Sequence, residues 1–280
     1  MKGAILSLGS RFRRWMACRR ETQYQRRHAA FDHELTLVEA VAAFPDPNRL
    51  YAYMHHYFRF RCPGYVRDHR EYFKLNKRGF GEDAFHAMWS LLLHEHRPKQ
   101  CLEIGVYRGQ VISLWALIAQ MRCFPCEIHG ISPFSPQGDA VSAYMGNVDY
   151  LSDTLASFTH LRLPVPTLLK ALSTDPAAIE YIGSRSWDLI YIDGSHDYEI
   201  ALADYQLCRE HLAPSGLLVL DDASLGTSFR PPSFSFGGHP GPSRVAREYA
   251  AMEMQLIAVV GHNNVFRKKS LRSRSIGVSP

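Results

Sequence analysis

Two apolar rhythms alternate along the chain. From residue 33 to 98 the spacing is helical. Leu35, Leu37, Val38, Val41 and Ala42 predict one helix that stops before Pro45 and Pro47, and Leu50 to Phe60 predict a second, rich in Tyr and His. A glycine-punctuated loop from Lys74 to Gly81 precedes a strong helix over roughly Glu82 to His96, with Phe85, Met88, Trp89, Leu92 and Leu93 on its apolar side. After residue 99 the rhythm changes. Short apolar runs at Leu102–Ile104, Glu127–Ile131, Thr167–Ala171, Trp187–Asp193 and Leu217–Asp222 read as strands. Helical patterns fall between them, from Gln110 onward, over Val148–Phe158, over Pro176–Ile182 and over Ile200–Leu212, where Pro214-Ser-Gly216 breaks the last one. A helix over Val245–Met254 and two strands, Leu256–Val260 and Asn264–Arg267, joined at a His262-Asn-Asn turn, close the pattern.

Strand alternating with helix at this spacing predicts a parallel, doubly wound sheet, which binds ligands at the carboxyl ends of its strands. The stretch Leu102-Glu-Ile-Gly-Val-Tyr-Arg-Gly109 then acquires meaning. Strand, glycine turn and helix bring bare backbone close to a nucleotide-like cofactor. It is not the dinucleotide fingerprint, because Tyr107 stands where a middle glycine would be. Alone, such a turn is also what an ordinary strand-to-helix connection looks like.

A chain of 280 residues with 46% hydrophobic and 21% charged residues is globular in composition, and no apolar run approaches the roughly 20 residues that span a bilayer. The net charge of +5 is concentrated at the ends: Arg11, Arg13, Arg14, Arg19, Arg20, Arg26 and Arg27 at one, Arg267, Lys268, Lys269, Arg272 and Arg274 at the other. The near-neutral middle argues against a nucleic-acid groove. In residues 1–32, Ile5, Leu8, Phe12 and Trp15 suit one side of a helix that touches acidic lipid or a partner. A frayed basic terminus explains the same residues more simply and is the reading the sequence favours. The run Ala4–Leu8 is too short for the core of a secretory signal. Six scattered cysteines, among them a lone Cys123-x-x-Cys126, fit a reduced, cytoplasmic protein better than a zinc site.

The candidate chemistry gathers at strand ends. Asp193 ends one strand, and Asp221 and Asp222 end the next. If the strands are neighbours, three carboxylates converge and require a counter-charge, which Mg2+ with oxygen ligands would supply; capping of the following helices is the plainer role. His196, in the turn after Asp193, is a candidate general base or a brace for that turn, with Asp197 as a rival base. His94 with His96, and His55 with His56, are poorly spaced for metal on a helix, and are expected to face solvent or the helix dipole.

Together Glu103 to Gly109, Trp187 to Glu199 and Asp221-Asp222 resemble the class I S-adenosylmethionine-dependent methyltransferases, within them the small-molecule O-methyltransferases of the catechol, caffeoyl-CoA and macrolide or aminocoumarin sugar branch. The resemblance covers roughly residues 80 to 267. It implies an α/β fold with a doubly wound, mostly parallel seven-stranded sheet and an N-terminal helical cap. The expected division is a basic segment 1–32, a cap 33–98, a methyltransferase domain 99–267 and a polar tail 268–280. It further implies that Glu103, Gly105, Tyr107 and Gly109 cradle the methionine part of the cofactor and that Ser173 lies near the adenine. Asp193, close to the cofactor as well, would join Asp221 and Asp222 as the metal ligands, with His196 or Asp193 as base. One departure stands out. Ser132 occupies the place of the acid that usually holds the ribose, leaving Asp139 as the candidate substitute.

The implied reaction is methyl transfer to a hydroxyl of a small molecule, sugar-containing or aromatic, assisted by Mg2+. The helical cap and the Gly226–Gly241 loop would choose the acceptor, and Tyr57, Phe80, Phe234 and Phe236 would suit its ring. A homo-oligomer is compatible with this reading. Two alternatives stay open: a hydroxylase-related enzyme on the same scaffold, and a methyltransferase-like binding module, which Ser132 favours.

Overall fold

The structure, a computed structural model, describes residues 12, 15–16, 19–26, 34–75, 77–139, 141–142 and 144–269. The run Ala4–Leu8, much of the basic segment and the tail from residue 270 lie outside the described residues.

Seven strands, β1 (Gln100–Ile104), β2 (Glu127–Ser132), β3 (Thr167–Lys170), β4 (Trp187–Ile192), β5 (Leu212–Leu220), β6 (Gln255–Val260) and β7 (Asn263–Arg267), form one sheet in the order β3-β2-β1-β4-β5-β7-β6. The first five are parallel, and β7 runs antiparallel between β5 and β6. The chain therefore winds one way from β1 to β3 and the other way from β4 onward. The crevice between β1 and β4 is the switch point where such sheets bind ligands.

Side-chain parity divides the interior into two cores. Cys101, Leu189, Tyr191, Leu217 and Val219 face one side, under the helices Pro47–Phe60, Gly64–Leu75, Asp83–His96 and Gln110–Met121. Leu102, Ile104, Ile190, Ile192, Leu218 and Leu220 face the other, under Pro176–Gly183, Tyr198–Glu210 and the helical stretch from Pro240 to Glu253. The amino-terminal helices thus share a core with the sheet. Their starts are set locally. Thr36 and Glu39 form a reciprocal capping box, and Asp46 accepts from Asn48 N–H ahead of Pro47.

Several expectations change. β5 begins at Leu212 and passes through Pro214-Ser-Gly216 with a register irregularity against β4, so that segment sits inside the strand. The last helix starts at Pro240 and loosens into a π turn at Ala246–Ala250. His55 and His56 do not face solvent: both are buried, because Pro47–Phe60 is covered from both sides. His94 faces solvent as expected and His96 is half-buried, both in the last turn of their helix; burial and nearby arginines push both below the ordinary imidazole value. Cys126 meets Cys101, thiol to thiol at 3.4 Å, and Cys123 is exposed; neither joins a ligand cluster among the described residues. No helix among the described residues is long and apolar enough to cross a membrane.

A buried polar chain ties the cap to the core. Ser113 Oγ lies 2.9 Å from His69 Nε2, His69 Nδ1 lies 3.3 Å from His86 Nε2, and His86 Nδ1 lies 3.1 Å from the Glu82 carbonyl. A carbonyl only accepts, so His86 donates from Nδ1 and accepts at Nε2; His69 must then donate from Nδ1 and accept from Ser113. Burial, aided by Arg70, pushes His86 down to about 3, and burial with the neighbouring His86 pushes His69 well below its ordinary value. The unfolded chain takes up protons below about 6.5 that the folded chain refuses, so this contribution to stability is complete above that pH and is lost as pH falls toward 3. Urea midpoints at pH 6.5 and 5 should fall further for the wild type than for His86→Gln. Equal falls would show that the relay does not sense pH.

Candidate active site

The backbone ladder extends one residue beyond β1, β4 and β5. Gly105 N–H bonds the Ile131 carbonyl at 2.9 Å, Asp193 N–H the Ile104 carbonyl at 2.8 Å, and Asp221 N–H the Ile192 carbonyl at 3.0 Å. Parity then sends Glu103, Asp193 and Asp221 toward the cap side of the sheet at its carboxyl edge. The approach of β1 to β4 is close enough to require glycine. At Gly105, with φ at +97°, a Cβ would lie 1.8 Å from the Asp193 carbonyl oxygen. Gly109, φ +78°, opens the helix Gln110–Met121.

The acids are crowded, and imidazoles answer them. Asp139 accepts from the His196 backbone N–H and Nδ1 at 2.5 and 2.6 Å, and His196 Nε2 lies 2.9 Å from Asp222. His262 Nδ1 sits between Asp221 and Asp222, 2.9 and 3.0 Å from an oxygen of each. Burial works against charge on both rings. For His262 burial is the largest single effect, but the charges of Asp221 and Asp222 and the hydrogen bonds to them together raise the ring well above its ordinary value; for His196 the hydrogen bonds to and charges of Asp222 and Asp139 together raise it. Burial likewise opposes charge on Asp222, yet the bonds from His196 and His262 hold it well below the carboxylate range. Asp193 behaves oppositely. Burial and then Asp221, Asp222 and Glu103 push it well above the ordinary carboxylate value. Glu103 is fully buried, and burial raises it to about 8; its Oε2 has no hydrogen-bond partner.

These groups line one cleft of about 640 Å³, within the size range of small-molecule sites. Glu103, Gly105, Tyr107, Asp193, His196, Asp221 and Asp222 all line it, with Gly105 directly against the Asp193 backbone. Phe80, Phe234 and Phe236 flank it, whereas Tyr57 is buried in the cap away from it. Ser132, Ser173 and Gly109 are not on its wall. Ser132 Oγ meets Phe134 N–H, Ser173 Oγ donates to the buried Asp204 at 3.1 Å, and Gly109 packs toward Thr154. Asp139 does not reach for a ribose. One of its oxygens takes the His196 bonds and the other takes Val141 N–H, Ser142 N–H and Ser142 Oγ.

The expected magnesium set is not assembled. The ligating atoms at this site that come within 4.8 Å of one another belong to Asp221–Asp222–His262 and to His196–Asp222–His239, and Asp193 joins neither. Mg2+ prefers an all-oxygen shell, and the His262 ring stands between the two carboxylates that would bind it. The donors present do not fit that ion.

The cradle, by contrast, suits a nucleotide-like ligand: a glycine that tolerates no side chain, an orphaned buried carboxyl oxygen and a cleft at the switch point. Residues 102–223 match the family model of a methyltransferase domain. Within those residues the chain is similar to methyltransferase domains. No curated protein sequence matches it. Among solved structures, the fold is similar to an SAH-bound methyltransferase of Podospora anserina, 14% identical over 75% of this chain and 89% of that one, with a TM-score of 0.52. It is also similar to an SAH-bound O-methyltransferase of Bacillus cereus, 12% identical over 75% and 93%, with a TM-score of 0.50.

Two histidines escaped the sequence reading, and both lie beyond residues 102–223. His262 rides the β6–β7 turn, held by the bond from Ala223 N–H to its carbonyl. His239 lies in the long loop before Pro240, its ring 4.1 Å from that of His196. A lone histidine after a glycine carries no periodic signal, so neither was visible before the fold was. Gly105→Ala combines a positive φ with a collision against backbone. Expected is a loss of about 2–4 kcal/mol in unfolding free energy by urea titration, with loss of S-adenosylhomocysteine binding by calorimetry. Wild-type values for both would mean that β1 and β4 are less closely apposed.

Proposed function

We propose that the chain transfers a methyl group from S-adenosylmethionine to a hydroxyl of a ring-bearing small molecule, sugar-containing or aromatic. The observation that carries this reading is one cleft at the switch point lined together by the glycine turn, Glu103 and the Asp–His cluster. S-adenosylmethionine, when bound, supplies a methyl group activated on a sulfonium. Glu103 and Tyr107 would hold its amino-acid end, beside the Gly105 backbone. Phe80 and Phe236 support a ring-bearing acceptor, since both are large apolar side chains left exposed at the cleft, by 73% and 46%. Confinement and orientation of the two partners would supply much of the rate.

The acceptor proton needs a base. His196, first in line from the sequence, has both ring nitrogens committed to carboxylates, and burial disfavours the ionised form of Asp193. His239 lines the cleft, and burial and the charge of His196 keep its ring below the ordinary value, hence neutral near pH 7. It is the imidazole in the protonation state a base requires. Asp193 would then hold the hydroxyl by hydrogen bond, and the His262 ring would neutralise Asp221 and Asp222. No step runs through Mg2+, and EDTA is expected to leave turnover unchanged.

S-adenosylhomocysteine should bind with micromolar affinity in calorimetry. Absence of binding at millimolar ligand would favour the second reading, a binding module of methyltransferase form, which Ser132 and the engaged Asp139 support. His239→Ala should lower kcat by roughly 10²- to 10⁴-fold with S-adenosylhomocysteine affinity kept. Activity within tenfold of wild type, with an unshifted pH profile, would remove His239 as the base.

A further inference from the structure

We propose that the segment at residues 12–26 docks the chain on an anionic membrane surface. Two sets of its residues behave differently. Residues 21, 24 and 25 make contacts with the body, whereas 12, 15 and 19 are exposed. Glu21 pairs with Lys74 at 3.0 Å, Gln25 donates to Asp83 at 3.0 Å and accepts from Arg59 at 3.0 Å, and the Tyr24 ring packs edge-on against Phe234 at 5.4 Å. The second set is bare. Phe12 and Trp15 are 62% and 53% exposed, their rings 5.9 Å apart, and the Arg19 guanidinium lies 5.3 Å over the Trp15 ring. Arg20 is exposed beside them.

Charge identifies the occupant. Before residue 31 the chain carries Lys2, Arg11, Arg13, Arg14, Arg19, Arg20, Arg26 and Arg27 against the single acid Glu21, and Lys74 already answers that acid. Exposed aromatic rings among arginines are what an interfacial segment presents to headgroups and the acyl boundary. The aliphatic residues Ile5, Leu6 and Leu8 in the same basic segment favour lipid over nucleic acid, whose grooves offer them little. Because Tyr24 rests on Phe234, which flanks the cleft, a docked segment holds the acceptor site close to the surface. Docking is independent of methyl transfer, so its failure would leave the proposed function standing.

Trp15 provides its own probe, since Trp89, Trp115 and Trp187 are 2%, 0% and 0% exposed. The full chain is mixed with vesicles of phosphatidylcholine alone or with phosphatidylglycerol added, and followed by sedimentation and tryptophan emission. Expected are sedimentation and a blue shift with the anionic vesicles only, reversed by concentrated salt. Arg19→Glu and Arg20→Glu should each weaken partition by roughly fivefold or more. Trp15→Phe should sediment and lose the shift. These side chains are exposed, so the variants should melt with the wild type. Equal partition into both vesicle types, no partition, or a short RNA that binds where vesicles do not would each overturn the proposal.

Discussion

Carboxylates placed at one edge of a sheet, out of water, cannot all hold charge without nearby cations. That constraint orders the centre of this protein. The parallel register of β1, β4 and β5 aligns Glu103, Asp193 and Asp221 on the same side, and Asp222 follows. The fold resolves the crowding in two ways. Asp193 and Glu103 are pushed above the ordinary carboxylate value, while Asp221, Asp222 and Asp139 receive imidazole partners from His196 and His262. The loop after β2 thereby reaches the turn after β4 through Asp139, crossing the carboxyl end of β1, which lies between them in the sheet.

Much of the fold was legible because strands buried on both faces leave little freedom. Trp187 to Ile192 and Leu217 to Leu220 are continuous apolar runs, and strict alternation between two cores is the only way to bury them. The breaks in legibility have physical causes. His55 and His56 lie on a helix covered from both sides, where polar residues no longer mark a solvent face. The helix Gly64–Leu75 is rich in charge and has few aliphatic residues, so it merged into a general helical reading of residues 33–98. At β5 the Pro-Ser-Gly triplet, ordinarily a terminator, is tolerated because the strand is irregular at that point.

The site was legible only where strand ends supplied it. Asp193, Asp221 and Asp222 could be read because their place follows from a strand boundary. What neutralises them could not, because it depends on which distant loops arrive at the edge. Asp139 was matched to a ribose on proximity along the chain, but in the fold its backbone turn and His196 consume both oxygens. Ser173 sits after β3 as expected, yet its hydroxyl serves Asp204, a carboxyl that burial raises to about 6. Position along the sequence located these residues without revealing their partners.

The antiparallel hairpin of β6 and β7 has a consequence for how such a site changes over time. Parallel strands deliver their turns to the carboxyl edge only at the start of a long crossover, and altering one disturbs a helix. A hairpin inserted beside β5 delivers a two-residue turn to the same edge and ends there. The acids belong to the framework of the sheet; the ring that answers them hangs from an appendage. A single replacement in that turn would convert a self-neutralised cluster into one that recruits an outside cation, with every strand left in place.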